Sequence, residues 1–303
     1  MKNLIDNTEA LIITSKVKYT PEFNSSNLFN SRQSEDINFI PKLLNNIEKF
    51  SKINKFNIVH DFKIDNKFSI LYQNRLKILS NKLGFRLITS PSSIKIPSQI
   101  SATIAFKYGL NKLNSNYFLF WEHDHLFVDE VNWITVDSCF NNGGKMLRFN
   151  RHKNSIQKDL KKNKDGTIEH YEIINFSSFN DSVLKTNFYS NGPFISEKSF
   201  CKNLWEETNY EFPNWNGFFG GFIEGPVNQF MLAEEMNMDS KIFEKKYPIY
   251  LYGGNKLKPI VKHNGDYEPV YKFKGNLFQS IIILLKIIKR NFIKKFFFLR
   301  YFF

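Results

Sequence analysis

Four consecutive polar side chains, Glu122-His123-Asp124-His125, follow directly on the apolar run Tyr117-Phe118-Leu119-Phe120-Trp121. Two carboxylates and two imidazoles at one place can bind a metal ion or move a proton. Alternate residues of a strand share a face, so an extended chain projects Glu122 and Asp124 to one side and His123 and His125 to the other. Paired carboxylates suit a hard cation that keeps some of its waters and holds a diphosphate. The imidazole pair would suit zinc, but no third ligand with zinc-site spacing accompanies it. A strand-end carboxylate can also simply cap the next helix; this cluster is denser than a cap requires.

Such a cluster needs a scaffold, and the preceding sequence supplies one. Aromatic and branched residues at the density of residues 117–121 predict a buried central strand of a parallel sheet. Earlier strands are expected at Ala10–Ser15, Phe56–Asp61 and Phe85–Thr89. Between them the spacing predicts an amphipathic helix with Ile37, Ile40, Leu44 and Ile47 on one face. A second helix is expected over Phe68–Leu83, ended by Gly84, and a third over Ser98–Leu113 with Ile100, Ile104 and Tyr108 inward. Strand-helix units repeated in this way give an α/β fold with a mostly parallel sheet and right-handed crossovers. Ligands of such sheets bind outside the carboxyl ends of the strands, where the acidic cluster falls. Beyond Gly143-Gly144 the pattern loosens into a strand at 145–149, a charged stretch at 153–165 and a Gly- and aromatic-rich loop at 214–226.

The strand end Phe118-Leu119-Phe120-Trp121-Glu122-His123-Asp124 resembles the D-x-D motif of GT-A fold glycosyltransferases, with Glu in the first place. Gly220-Gly221-Phe222-Ile223-Glu224 is similar to a stretch of the family 2-like members of that group. The resemblance implies a Rossmann-like GT-A fold whose central sheet is flanked by helices. It implies Mn2+ or Mg2+ at Asp124 and Glu122, with His263 of His263-Asn264-Gly265-Asp266 as a third ligand. It also implies that Asp61 contacts the nucleoside, and that Glu224 acts as the base toward an acceptor hydroxyl, within hydrogen-bond reach of it. Trp215, Phe218 and Phe219 offer a platform for a sugar ring, and Asn191-Gly192-Pro193 falls where the family has an acceptor-side turn. Arg32 and Lys16, after the first strand, are candidates to face phosphates or base, since a guanidinium pairs bidentately with phosphate. The activity implied is transfer of a sugar from a nucleotide-sugar donor to a glycan or lipid-linked acceptor. The family's Asp-Asp-Gly-Ser run is missing after Asp61, with only Asp65 nearby.

The net charge is +13, and no acid follows Glu268, while eight lysines and arginines do. A basic chain often binds nucleic acid. Here the excess lies mainly in a tail that is also strongly apolar, so an anionic membrane surface is the expected partner and nucleic acid is not. The longest uncharged stretch in that tail, 275–285, has eleven residues, and a membrane-crossing helix needs about 20. The expected organisation is a transferase domain over 1–270 and a basic, amphipathic, membrane-associating helix over 271–303. The amino-terminal residues lack the apolar core of a secretory signal, and Cys139 and Cys201 give no disulfide framework. The expected location is therefore cytoplasmic, at the inner face of a membrane. Phosphate-binding G-x-x-x-x-G-K-[ST] loops, G-x-G-x-x-G fingerprints and nucleophile elbows are absent. Two other readings stay open: a non-catalytic membrane-peripheral binding protein on a degenerate transferase scaffold, and a metal-dependent hydrolase using His123, Asp124 and His125.

Overall fold

The computed structural model describes residues 4–16, 37–96, 98–150, 174–176, 182–190, 192–211, 224–253 and 259–263. Arg32, the aromatic-glycine loop before Glu224 and the basic tail lie outside them. The chain opens with a short 3-10 turn and then β1 (Thr8–Thr14), α1 (Phe39–Ser51), β2 (Phe56–Lys63), α2 (Lys67–Leu83), β3 (Arg86–Ser92) and α3 (Ser98–Lys112). Next come β4 (Tyr117–Glu122), β5 (His125–Phe127), α4 (Trp133–Asn141), β6 (Met146–Phe149), β7 (Ile174–Phe176), β8 (Val183–Thr186) and β9 (Phe194–Glu197). The described chain closes with α5 (Lys198–Glu211), α6 (Glu224–Asn237), α7 (Ser240–Lys246), β10 (Ile249–Tyr252) and β11 (Val261–His263).

Nine strands form one sheet in the order β3-β2-β1-β4-β9-β6-β10-β8-β7. The neighbours β3-β2, β2-β1, β1-β4 and β6-β10 are parallel, and the remaining pairs are antiparallel. Only β8 and β9 therefore run against the other seven. This is the mostly parallel, helix-flanked α/β sheet that the strand-helix spacing predicts. β5 and β11 form a separate antiparallel ribbon.

The side-chain alternation of β4 explains why helices must cover both faces. Leu119 and Trp121 pack on one side with α1 and with Tyr72 and Leu76 of α2. Phe118 and Phe120 pack on the other with Ala105, Phe106 and Leu110 of α3 and with Trp205 and Met231. Apolar contacts on both faces leave β4 no solvated side, so its polar residues collect at its end.

Helix boundaries follow local chemistry. The Asn66 side chain caps α2 by accepting from the backbone N–H groups of Phe68 and Ser69. Gly84 ends it in the left-handed conformation, φ +73°, where a side chain would be strained. The third helix forms where expected but presents a different face. Ile104 and Tyr108 are exposed, while Ala105, Phe106 and Leu110 are buried. Small residues decide that phase: a Cβ on Gly109 would overlap Cγ2 of Val59 and reach 3.0 Å from Cδ1 of Leu11. The helix backbone thus lies against β1 and β2, closer than an isoleucine face allows.

Candidate metal and donor site

β1 and β4 are neighbours, yet the chain leaves β1 toward β2 and β3 and returns to the far side of β1 to make β4. That reversal is a topological switch point, and open α/β sheets bind their ligands at such points, outside the carboxyl ends of the strands. The register pairs Ile13 with Glu122. Glu122 therefore stands at this switch point, with Lys16 just beyond the end of β1. The Lys16 ammonium lies 6.0 Å from the Tyr72 ring centroid, and the Tyr72 hydroxyl shares a 2.7 Å hydrogen bond with Thr14.

Strand alternation stops at Glu122. Residues 123–124 turn, and His125 begins β5. The turn is held by Trp121, whose Nε1 donates to the His125 carbonyl at 2.9 Å. It is also held by Asn46 of α1, which exchanges two hydrogen bonds with the backbone of Phe127. As a result His125 folds back toward the carboxylates, contrary to the opposite-face position that simple alternation gives. His125 Nδ1 lies 3.0 Å from Asp124 Oδ1 and 3.8 Å from Glu122 Oε2. The imidazole is fully buried, whereas the two carboxylates stay about a third exposed.

One ligand atom from each of Glu122, Asp124 and His125 can be chosen so that all three lie within 4.8 Å of one another. An octahedral dication with bonds of ~2.1 Å needs adjacent ligand atoms ~3 Å apart, so small side-chain adjustments suffice. The donor chemistry fits as well: two carboxylates offer hard oxygens, the buried Asp124 Oδ1 among them, and His125 offers one nitrogen. His123 is outside this group.

His263 enters through the β-ribbon, where its backbone pairs in register with His125. Glu224 is the first residue of α6 and is half-buried. The Tyr189 hydroxyl is pushed well above its usual range, chiefly by burial, then by Cys201, with the carboxylates of Glu224 and Glu122 adding to the rise. Asn228, one turn along α6, donates to the Tyr189 carbonyl at 2.8 Å and accepts from its N–H at 2.9 Å. Asn187 adds two hydrogen bonds to Glu235, so the helix that begins at Glu224 is fastened to the segment entering β9.

Asp61 occupies a closed environment. It is 2% exposed and accepts from Ser92 Oγ and Ser101 Oγ at 2.7 Å each. Its remaining contact is an ion pair with buried Lys63 at 3.1 Å, and Lys63 also donates to Ser101. Both oxygens are engaged within the protein, so this carboxylate ties β2, β3 and α3 together. The sequence signal missed here was Lys63, two residues on and therefore on the same strand face. The cysteines are separate buried thiols, each pushed up to about 12 by burial.

No protein-family model matches this chain, and no curated protein matches it. Solved structures similar to it include residues 1–349 of S. aureus TarS, at 12% identity and a TM-score of 0.41. That alignment covers 84% of this chain and 60% of the TarS fragment, so the chain spans under two thirds of that neighbour. The same fragment in complex with UDP-GlcNAc aligns at 12% identity and a TM-score of 0.40, over 84% and 58% of the two chains. A third is CTP:phosphocholine cytidylyltransferase from Streptococcus pneumoniae, at 10% identity and a TM-score of 0.40, over 82% of this chain and 92% of that one.

Proposed function

We propose that this chain is a metal-assisted glycosyltransferase that binds a nucleotide-sugar outside the carboxyl ends of β1 and β4. The observation that carries the reading is the joint position of Glu122, Asp124 and His125 at the switch point of a mostly parallel sheet. Glu122 and Asp124 would hold Mn2+ or Mg2+, with His125 completing the ligand set and His263, opposite it in the ribbon, as a further candidate. Such an ion, when bound, neutralises charge on the departing diphosphate. Lys16 adds a positive charge at the same strand ends, and Arg32 is a further candidate for the phosphates. Glu224 would accept the proton of the acceptor hydroxyl, which makes that oxygen nucleophilic as its bond to the sugar forms. The acceptor is a glycan or a lipid-linked carrier, and the setting is the cytoplasmic face of a membrane.

Calorimetry with uridine, guanosine and cytidine diphosphates, each with and without Mn2+, tests the reading. The expected result is binding to one nucleotide that requires the metal and is lost in Asp124→Ala. Absence of metal-dependent binding to all three would overturn it.

A further inference from the structure

The outward face of α2 is unusual for a solvated helix. Its seventeen residues include Lys67, Arg75, Lys77 and Lys82 and no acid. Its inner side is set by Ser69, Tyr72, Gln73 and Leu76, which are buried against the sheet. At 100° per residue, Leu71 and Ile78 fall near the middle of the opposite, outer side, and there they are 59% and 68% exposed. Lys67 and Lys82 lie on the same line, Arg75 flanks it on one edge, and Ile70 and Lys77 on the other. Two more large aliphatics are exposed on the loops near the helix start, Ile64 at 58% and Ile94 at 54%. These two loops are joined by Asp65, which accepts from Ser93 Oγ and from the Ile94 N–H.

A single exposed leucine needs no explanation. A line of large aliphatics centred between cations on an acid-free helix is the pattern of a helix lying in a lipid interface. We infer that the outer face of α2, together with Ile64 and Ile94, docks on an anionic lipid surface. Charge decides the occupant. A second copy of this chain would bring four more cations of the same face against these four, so pairing of α2 with itself is opposed. Anionic headgroups complement all four, at roughly 1 kcal/mol per basic residue near the surface, and the four outnumber the single carboxylate, Asp65, on the adjoining loop. Exposed aliphatic side chains on one helix face match the acyl boundary of a lipid surface. No described helix is long and apolar enough to cross a membrane, so the contact is peripheral.

The test uses the full chain, with residues 264–303 intact in every variant, sedimented with phosphatidylcholine vesicles with and without phosphatidylglycerol. Leu71→Gln/Ile78→Gln and Lys77→Glu/Lys82→Glu alter only exposed side chains, and a thermal melt confirms that each variant folds. The expected result is binding of the wild type to phosphatidylglycerol vesicles, weakened at least ~tenfold in each double variant, a loss of about 1.4 kcal/mol. Unchanged binding in the variants would assign attachment to another part of the chain and overturn the inference. Equal binding to pure phosphatidylcholine, or no wild-type binding, would also overturn it. So would self-association in ultracentrifugation that the variants abolish without any dependence on lipid.

Discussion

His125 Nδ1 stands 3.0 Å from Asp124 Oδ1 just past the carboxyl end of β4, with the imidazole fully buried and the carboxylate side chain 29% exposed. A buried nitrogen beside two oxygens is a mixed donor set, which favours Mn2+ over Mg2+ relative to an all-oxygen site. His125→Ala is expected to weaken Mn2+ binding by roughly 10–100-fold or more, while Mg2+ binding changes less. Electron paramagnetic resonance of free Mn2+ measures the first and competition with Mg2+ the second. Equal losses for both ions would remove the nitrogen from the ligand set.

Asn228 fixes the helix that starts at Glu224 through two hydrogen bonds to the Tyr189 backbone. Asn228→Ala leaves that buried N–H and carbonyl without this partner, at a cost of about 1–3 kcal/mol. If Glu224 is the base, turnover falls in this variant while donor affinity holds. A variant that lowers melting temperature but spares turnover would detach α6 from the chemistry.

Asp61 and Lys63 form a buried pair whose charges are satisfied internally. Removing one partner strands the other, so Asp61→Ala should destabilise the protein by about 3–5 kcal/mol. Nucleotide affinity of the fraction that remains folded should be unchanged, because the carboxylate has no free oxygen for a ligand. Chemical denaturation and calorimetry give the two numbers separately.

His60 is buried between Gln73 and Ser69, and burial lowers its pKa from 6.5 to about 4. Below pH 6.5 the unfolded chain takes up a proton that the native state refuses, so stability falls as pH drops from 6.5 toward 4 and levels off below. The difference amounts to on the order of 3 kcal/mol. Denaturation midpoints across that window should show the slope in wild type and a flatter one in His60→Gln.

Gly109 allows α3 to lie against Val59 and Leu11. Alanine there must push a β-branched core side chain aside, an overpacking cost of about 1–3 kcal/mol. Gly84→Ala at the end of α2 meets no neighbour within 4 Å, so its smaller cost reports backbone strain alone. Melting temperatures of the two variants rank the effects.

The first half of the fold was readable because each element carries its own period and its own stop. Asn66 and Gly84 bracket α2, and the β4 aromatics leave no other placement for that segment. The phase of α3 is hidden in the sequence because bulky Ile104 and Tyr108 outweigh Ala105 and Gly109 on a hydropathy scale, although close helix-sheet approach needs the small pair. The site was legible as far as Glu122 and Asp124. The place of His125 depends on a turn held by Asn46, which bonds the Phe127 backbone across 81 residues of chain, and no local pattern encodes that contact. β8 and β9 are only four residues long, too short to show a period, and the pairings of β9 with β4 and β6 and of β8 with β10 join segments remote in sequence.

The place of β9 between β4 and β6 has a consequence during synthesis. Once Glu122 has been made, the apolar β4 can join β1 on one edge, while the partner for its other edge starts only at Phe194. At about 5–20 residues per second, a nascent chain carries that bare hydrogen-bonding edge for roughly 4–14 seconds. During that interval the growing polypeptide is most exposed to mispairing with its neighbours on a polysome, and slowed translation between residues 122 and 194 would lengthen the hazard.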